Sequence, residues 1–258
     1  MAEMRKVQWV NPAYQSDQRV TRLLAGLPES FDNQGSLLWN GRNKIRDIEG
    51  LIVKRFKHPS LLQQVGYWFR RHKARKAYEN GLELTRRGFD TPTPIAAAEL
   101  RSGCSLQFAY YVCEALPPEA QAIEGLLDRE DWDKSLARAF AQYVALLHEA
   151  GILHNDLNDT NVHWEKRADG QYHFLLIDIN RMKFFAPGQE IPAREWIENL
   201  TRFTRRLDLF EYVIREYAKA RGMDEQAIAQ RGVAQKRTHD RNWYRRKRFL
   251  HMFKQKRK

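Results

Sequence analysis

The sequence predicts an α+β fold of two lobes, a small antiparallel sheet with one main helix followed by a mainly helical part. Three observations carry this. Short apolar and β-branched runs alternate with turns from Ser36 to Phe56. Small and apolar residues recur at three-and-four spacing over 74–87 and again over 134–150, and glycines, Gly88 and Gly151, follow these runs. A polar loop, His154-Asn155-Asp156-Leu157-Asn158-Asp159-Thr160-Asn161, then precedes an apolar run that ends in Asp178.

The elements follow in order. Ser36-Leu37-Leu38-Trp39, Ile45 to Ile48 and Leu51 to Phe56 predict three strands, with turns at 41–44 and at Glu49-Gly50. Ala74, Ala77, Tyr78, Gly81 and Thr85 set the stripe of the first main helix. Thr91-Pro92-Thr93-Pro94 forces an extended turn, and Ser105 to Cys113 predicts another strand. Pro117-Pro118 marks a boundary. Leu136, Phe140, Tyr143 and Leu147 define the next helix. Trp164 and Tyr172 to Ile177 flank a hairpin at Ala168-Asp169-Gly170. A single long helix is expected over 194–220, with Trp196, Leu200, Phe203, Leu207, Phe210, Ile214 and Tyr217 as a core-packing seam. The expected division is 1–112 as the first lobe (an extension over 1–34, sheet and helix over 35–112), 113–118 as a hinge, 119–222 as the helical lobe and 223–258 as a basic tail.

Composition narrows the class. The 258 residues are 43% hydrophobic and 12% aromatic, enough for a sizeable core. No run is apolar and long enough for a transmembrane helix, and Met1-Ala2-Glu3-Met4-Arg5-Lys6 does not resemble a signal peptide. The two cysteines, Cys104 and Cys113, are expected to be buried thiols in a reducing, cytoplasmic compartment. Of the net charge of +12, the segment 236–258 carries +10, from eleven Lys/Arg against Asp240. The body is nearly neutral, so the tail needs its own explanation.

The polar loop and the strand after it have the residue types that phosphoryl transfer from ATP requires. An Asp faces the acceptor hydroxyl, and an Asn and a second Asp hold magnesium through hard oxygen donors. Asp156 fits the first role, and Asn161 with Asp178 the second. Lys54, after Ile52-Val53, fits a strand lysine that reaches the nucleotide phosphates, with Glu79 as its expected carboxylate partner and Glu83 as the alternative. His154 is expected to support the loop rather than to act as a base or a ligand. The backbone near Glu114, Ala115 and Leu116 is expected to meet adenine. Strands, helix, strand, linker, helix, motif loop and hairpin follow one another as in the bilobal protein-kinase-like fold.

The chain resembles the lipopolysaccharide kinases, the Kdo kinases and heptose kinases of Gram-negative bacteria. Gly41-Arg42-Asn43-Lys44-Ile45 is similar to the family's phosphate-covering hairpin, and Val53-Lys54-Arg55-Phe56-Lys57 to its lysine strand. Ala77 to Gly88 with Thr91 to Ile95 resembles its helix and exit turn. His154 to Asn161 with Ile177-Asp178-Ile179-Asn180-Arg181 resembles its catalytic core. The resemblance implies ATP and Mg2+ as co-substrate and metal, and a lipid-linked sugar, Kdo or heptose, as acceptor at the cytoplasmic face of the inner membrane. It implies Arg42, Asn43 and Lys44 as phosphate cover, and His154, Asn158 and Arg181 as supporting residues.

Departures from protein kinases agree with a sugar acceptor. Only Gly41 remains of a glycine-rich loop, Asn155 stands where regulated protein kinases carry an Arg, and no Ala-Pro-Glu motif follows Asp178. In the tail, Trp243 and Tyr244 precede Arg245-Arg246-Lys247-Arg248-Phe249-Leu250. Bases interleaved with apolar groups suit an anionic membrane surface. Nucleic acid is the rival partner, and the less economical one beside a lipid-linked acceptor.

Overall fold

The structure, a computed structural model, describes residues 4–60, 63–64, 66–67, 71–123, 126–127 and 129–255. It divides into two compact units, Met1–Ala120 with Leu175–Arg181, and Gln121–Phe174 with Met182–Lys258.

The first unit is built on an antiparallel sheet of six strands. In chain order they are β1 (Met4–Val10), β2 (Ser36–Asn40), β3 (Lys44–Ile48), β4 (Leu51–Arg55), β5 (Pro94–Ser102) and β6 (Ser105–Glu114). Their spatial order is β1-β5-β6-β4-β3-β2. The meander expected from 36–56 is therefore the β2–β3–β4 part of the sheet. Two helices not anticipated from sequence, α1 (Gln18–Ala25) and α2 (Glu29–Asn33), cover one face. Val20, Leu23, Leu24, Leu27 and Phe31 join Val53, Ile95, Tyr110 and Val112 in one buried cluster. Fully burying each large member contributes roughly 1.5–3 kcal/mol.

Helix α3 (Lys73–Arg86) also packs on this unit. His72 caps it, its Nδ1 accepting from the Ala74 N–H at 3.2 Å. Gly81 makes the close approach possible, because a Cβ there would lie 2.4 Å from Pro94 and 3.1 Å from Ile179. Asn80 fixes the same contact by donating from Nδ2 to the Ile179 carbonyl at 2.8 Å.

The second unit contains β7 (Gln121–Ala122), α4 (Lys134–Glu149), β8 (Ile152–Leu153), β9 (Val162–Lys166), β10 (Tyr172–Leu176), β11 (Lys183–Phe184) and three further helices. The last two residues of β10 belong to the first unit. β10, β9 and β7 form a small sheet, and β8 pairs with β11. Asp133 caps α4 through bonds from the Ser135 and Leu136 N–H groups. The expected helix over 194–220 is instead two, α5 (Ala193–Leu200) and α6 (Leu207–Ala220). No Gly or Pro breaks it. Side chains do: Thr201 Oγ1 donates to the Glu198 carbonyl, and Thr204 Oγ1 accepts from the Arg206 N–H. Most of the expected seam survives, since Trp196, Leu200, Phe203, Phe210, Ile214 and Tyr217 are buried.

The tail is a continuous helix, α7 (Glu225–Gln255). Its 31 residues span about 46 Å at 1.5 Å each. Its start packs tightly on α6, because a Cβ at Gly232 would come within 2.0 Å of Ile214. Lys236 is buried, bonded to Asp240 at 2.9 Å and placed over the Phe210 ring. Lys256, Arg257 and Lys258 lie outside the described residues. The expectation of two buried thiols is corrected: Cys104 is exposed in the β5–β6 turn and Cys113 is half-buried.

Candidate active site

In the first unit, strand β4 carries Lys54 toward the segment that follows β10. Lys54 Nζ lies 2.5 Å from Asp178 Oδ1 and 5.4 Å from the Phe56 ring centroid. The Asn180 Nδ2 also donates to Asp178 Oδ1, at 2.6 Å. Asp178 has φ of 54°, in the left-handed region that costs a non-glycine residue of order 1 kcal/mol or more. The bonds from Lys54 and Asn180, and the docking of Asn80 on Ile179, hold this turn in place.

The expected Lys54–Glu79 pair does not form. Glu79 accepts from Arg71 at 2.8 Å and from Arg75 at 2.7 Å. Glu83, the alternative, pairs with Arg86 and Arg87, whose guanidinium groups pull its carboxyl down to about 2. Both glutamates sit within reach of arginines on or beside their own helix. The lysine, 124 residues from Asp178 in sequence, finds its partner only through the fold.

A residue not singled out from sequence joins this group. Burial pushes the Lys73 ammonium below its ordinary range, and the charges of Arg42, Arg181 and Lys54 push it the same way, with Asp178 opposing them. Lys73 opens α3, so the cations Arg42, Lys54, Lys73 and Arg181 share one electrostatic neighbourhood with Asp178. Such a set suits the phosphates of a nucleotide.

Asn43 accepts from the Lys57 N–H at 3.1 Å, and the Gly41 N–H donates to the Asn43 carbonyl, which shapes the β2–β3 turn. Lys44 is exposed, opposite Arg55 in the β3–β4 register. At the end of β6 the Glu114 N–H is used by the Thr93 carbonyl at 3.0 Å, and the Tyr14 hydroxyl donates to the Glu114 carboxylate. Burial and that carboxylate push the Tyr14 phenol up to about 12. Leu116 is half-buried beyond this point.

In the second unit the loop after β8 folds on itself. Asn161 Nδ2 donates to the Asp156 carbonyl at 2.8 Å. The Asn158 Oδ1 accepts from the Thr160 and Asn161 N–H groups and from the Thr160 hydroxyl. His154 is fully buried, and its Nδ1 accepts from the Asp156 N–H at 3.3 Å. Asn155 sits at φ of 60°. Its N–H donates to Asn199 Oδ1 at 2.8 Å.

Behind Asn199 runs a buried polar chain. Because Asn199 Oδ1 accepts from Asn155, its Nδ2 is the donor to His148 Nε2 at 2.9 Å. The His148 proton then sits on Nδ1, facing the Tyr217 hydroxyl at 3.0 Å. Burial holds His148 neutral, its pKa lowered to about 3, in keeping with an accepting Nε2. Helices α4, α5 and α6 thus each supply one link to the loop that carries Asp156.

Asp156 also meets a cation absent from the sequence reading. Arg202, in the turn after α5, places a guanidinium nitrogen 3.5 Å from Asp156 Oδ1. The pair lies 46 residues apart, and no local pattern announces it.

The Lipopolysaccharide kinase (Kdo/WaaP) family matches residues 60–226, a span that contains Asp156, Asn161 and Asp178 but not Lys54. Similar curated proteins are named 3-deoxy-D-manno-octulosonic acid kinase. One from Xylella fastidiosa (strain M12) is 30% identical over 165 residues, 60% of this chain and 61% of that protein. One from Xanthomonas oryzae pv. oryzae (strain PXO99A) is 34% identical over 128 residues, 48% of this chain and 46% of that protein. One from Vibrio vulnificus (strain YJ016) is 28% identical over 118 residues, 45% of this chain and 48% of that protein. The chain thus spans about three fifths, or less, of the length of the relatives it matches. A solved structure titled "WaaP in complex with acyl carrier protein" superposes with a TM-score of 0.58 at 19% identity, covering 90% of this chain and 99% of that one. The two share a mixed α+β fold, with an antiparallel sheet first and a helical part after it.

Proposed function

Because the chain belongs to the lipopolysaccharide kinase (Kdo/WaaP) family, we propose that it transfers the γ-phosphoryl group of ATP to a hydroxyl of a lipid-linked 3-deoxy-D-manno-octulosonic acid. The observation that carries this reading is the loop holding Asp156 and Asn161 in a fixed, doubly braced form inside the matched span. Asp156 orients the acceptor hydroxyl and takes its proton as the new P–O bond forms. The bond from the γ-phosphorus to the bridging oxygen breaks, and ADP leaves. Lys54, with Arg42 and Lys73, neutralises phosphate oxygens. The half-buried Leu116 and the backbone at 115–116 meet adenine, since the Glu114 N–H is already used.

Each of the two expected donors is of a type that suits magnesium. With Nδ2 of Asn161 bonded to the Asp156 carbonyl, its Oδ1 is the atom it can offer, and Asp178 offers a carboxylate. When bound, the ion offsets the charge that builds on the transferring group. Among the described residues no group of three or more His, Cys, Asp or Glu gathers as an all-protein cage, so phosphate oxygens and water would complete the shell.

Among the described residues no helix is long and apolar enough to cross a membrane. The lipid-linked acceptor is met at the cytoplasmic face of the inner membrane through the second half of α7. There Trp243, Tyr244 and Phe249 are 41%, 54% and 56% exposed, beside Arg245, Arg246, Lys247 and Arg248. Lys236, being buried, takes no part.

The test is phosphate transfer from labelled ATP to three acceptors: lipid A bearing 3-deoxy-D-manno-octulosonic acid, lipid A without it, and a generic protein. Label on the first alone supports the reading. Label on the protein alone, or on none, overturns it.

A further inference from the structure

The loop that carries Asp156 has an electrostatic problem. Residues 156–161 are Asp-Leu-Asn-Asp-Thr-Asn, two carboxylates and no cation. An acceptor sugar that is itself a carboxylic acid would be repelled there, because like charges at short range disfavour each other. Arg202 is a cation that the second unit places at this point. Its contact with Asp156 Oδ1, at 3.5 Å, is at the long limit for a hydrogen bond, and its other terminal nitrogen lies 4.0 Å from Glu198 Oε1. The guanidinium side chain is 35% exposed. It is tethered between two carboxylates without a close bidentate bond to either, so a carboxylate ligand would gain the short paired geometry that a guanidinium favours.

Its tether is anchored from elsewhere. Glu198 accepts from Gln235 Nε2 at 3.4 Å and bonds His239 Nδ1 at 2.9 Å, both on α7. Gln235 in turn donates to the Arg194 carbonyl at 2.9 Å. Glu198, held by α7, thus stands beside the guanidinium that faces Asp156.

We propose that Arg202 is the specificity-determining residue for the acceptor, reading the carboxylate of the sugar acid while Asp156 holds its hydroxyl, with Glu198 as the positioning residue behind it. This rests on the kinase reading above. It assigns the acceptor class as an anionic sugar, with the charge recognised in the second unit.

The experiment compares wild type, R202K, R202Q and E198Q. The acceptors are lipid-linked 3-deoxy-D-manno-octulosonic acid and its carboxyl methyl ester. Binding of the free monosaccharide and of its methyl ester is titrated without ATP. Expected for R202Q is a rise in KM of about 10–100-fold for the acid and a much smaller one for the ester, whatever change in kcat the two acceptors share. Wild type should favour acid over ester by a similar factor, R202K should recover part of it, and E198Q should fall between. Equal losses on acid and ester, or a loss in kcat alone, would make Arg202 a partner of Asp156 only and overturn the proposal. Absence of transfer by wild type to either acceptor would instead sink the kinase reading. The binding titration then still decides on Arg202, because R202Q must weaken the acid and not the ester.

Discussion

Lys54 and Asp178 form a close ion pair, 2.5 Å from Nζ to Oδ1, so the strand lysine is held by the carboxylate after β10 and not by a glutamate of α3. On the proposed reading, the lysine kept beside Asp178 meets the nucleotide phosphates. Lys54→Met should lower kcat/KM for ATP by about 10²–10³-fold. Glu79→Gln should cost no more than about 5-fold, since Glu79 serves two arginines at a partly exposed surface. Steady-state kinetics in ATP checks both. A loss for Glu79→Gln as large as that for Lys54→Met would mean that the lysine changes partner during turnover.

The polar chain Tyr217–His148–Asn199–Asn155 predicts a stability effect at the loop. Asn199→Ala leaves His148 Nε2 buried and unpaired and removes the acceptor of the Asn155 N–H. It should cost about 1–3 kcal/mol in urea unfolding. It should also raise amide exchange at Asn155 and Asp156, while ATP binding is kept.

Two histidines predict a pH dependence. Burial lowers His148 to about 3 and His72 to about 4, from 6.5. The fold therefore favours their neutral forms. Their contribution is complete above about 6.5 and is lost as pH falls toward 4 and then 3, because the unfolded chain binds the protons first. Each should cost up to about 1.4 kcal/mol per pH unit over that window. Urea midpoints at pH 7.5, 6 and 5 check this, and His148→Gln should flatten the slope. A midpoint that rises on acidification would contradict it.

Gly81→Ala tests how α3 docks on the Asp178 turn. In an exposed helix this change stabilises by about 1 kcal/mol. Here the added methyl meets Pro94 and Ile179, so the sign should reverse, to a loss of about 1–3 kcal/mol by thermal or urea unfolding.

What was legible in the sequence was local. Alternation gave β2, β3 and β4, and three-and-four spacing with terminal glycines gave α3 and α4 to within a residue. The loop from His154 to Asn161 was legible because its residue types and spacing are contiguous. The sequence reading makes 1–34 an extension, although Val20, Leu23, Leu24 and Leu27 keep helical spacing and are all buried. The pairing of β1 with β5 is long-range and leaves no local mark. The break between α5 and α6 was invisible, being made by threonine hydroxyls rather than by Gly or Pro. The partners of Lys54 and Asp156 have one thing in common: Asp178 and Arg202 reach them through tertiary contacts, while the glutamates expected beside Lys54 pair with arginines on or beside their own helix.

The most direct measurement of the central claim is turnover and ATP binding by Asp156→Asn. The substitution keeps the backbone bonds that shape the loop and removes the charge that faces Arg202 and that, on the proposed reading, takes the proton. The account predicts a fall in kcat on the lipid-linked sugar acid of about 10²–10⁴-fold, with ATP affinity within a few-fold of wild type. Undiminished phosphate transfer by this variant would contradict it.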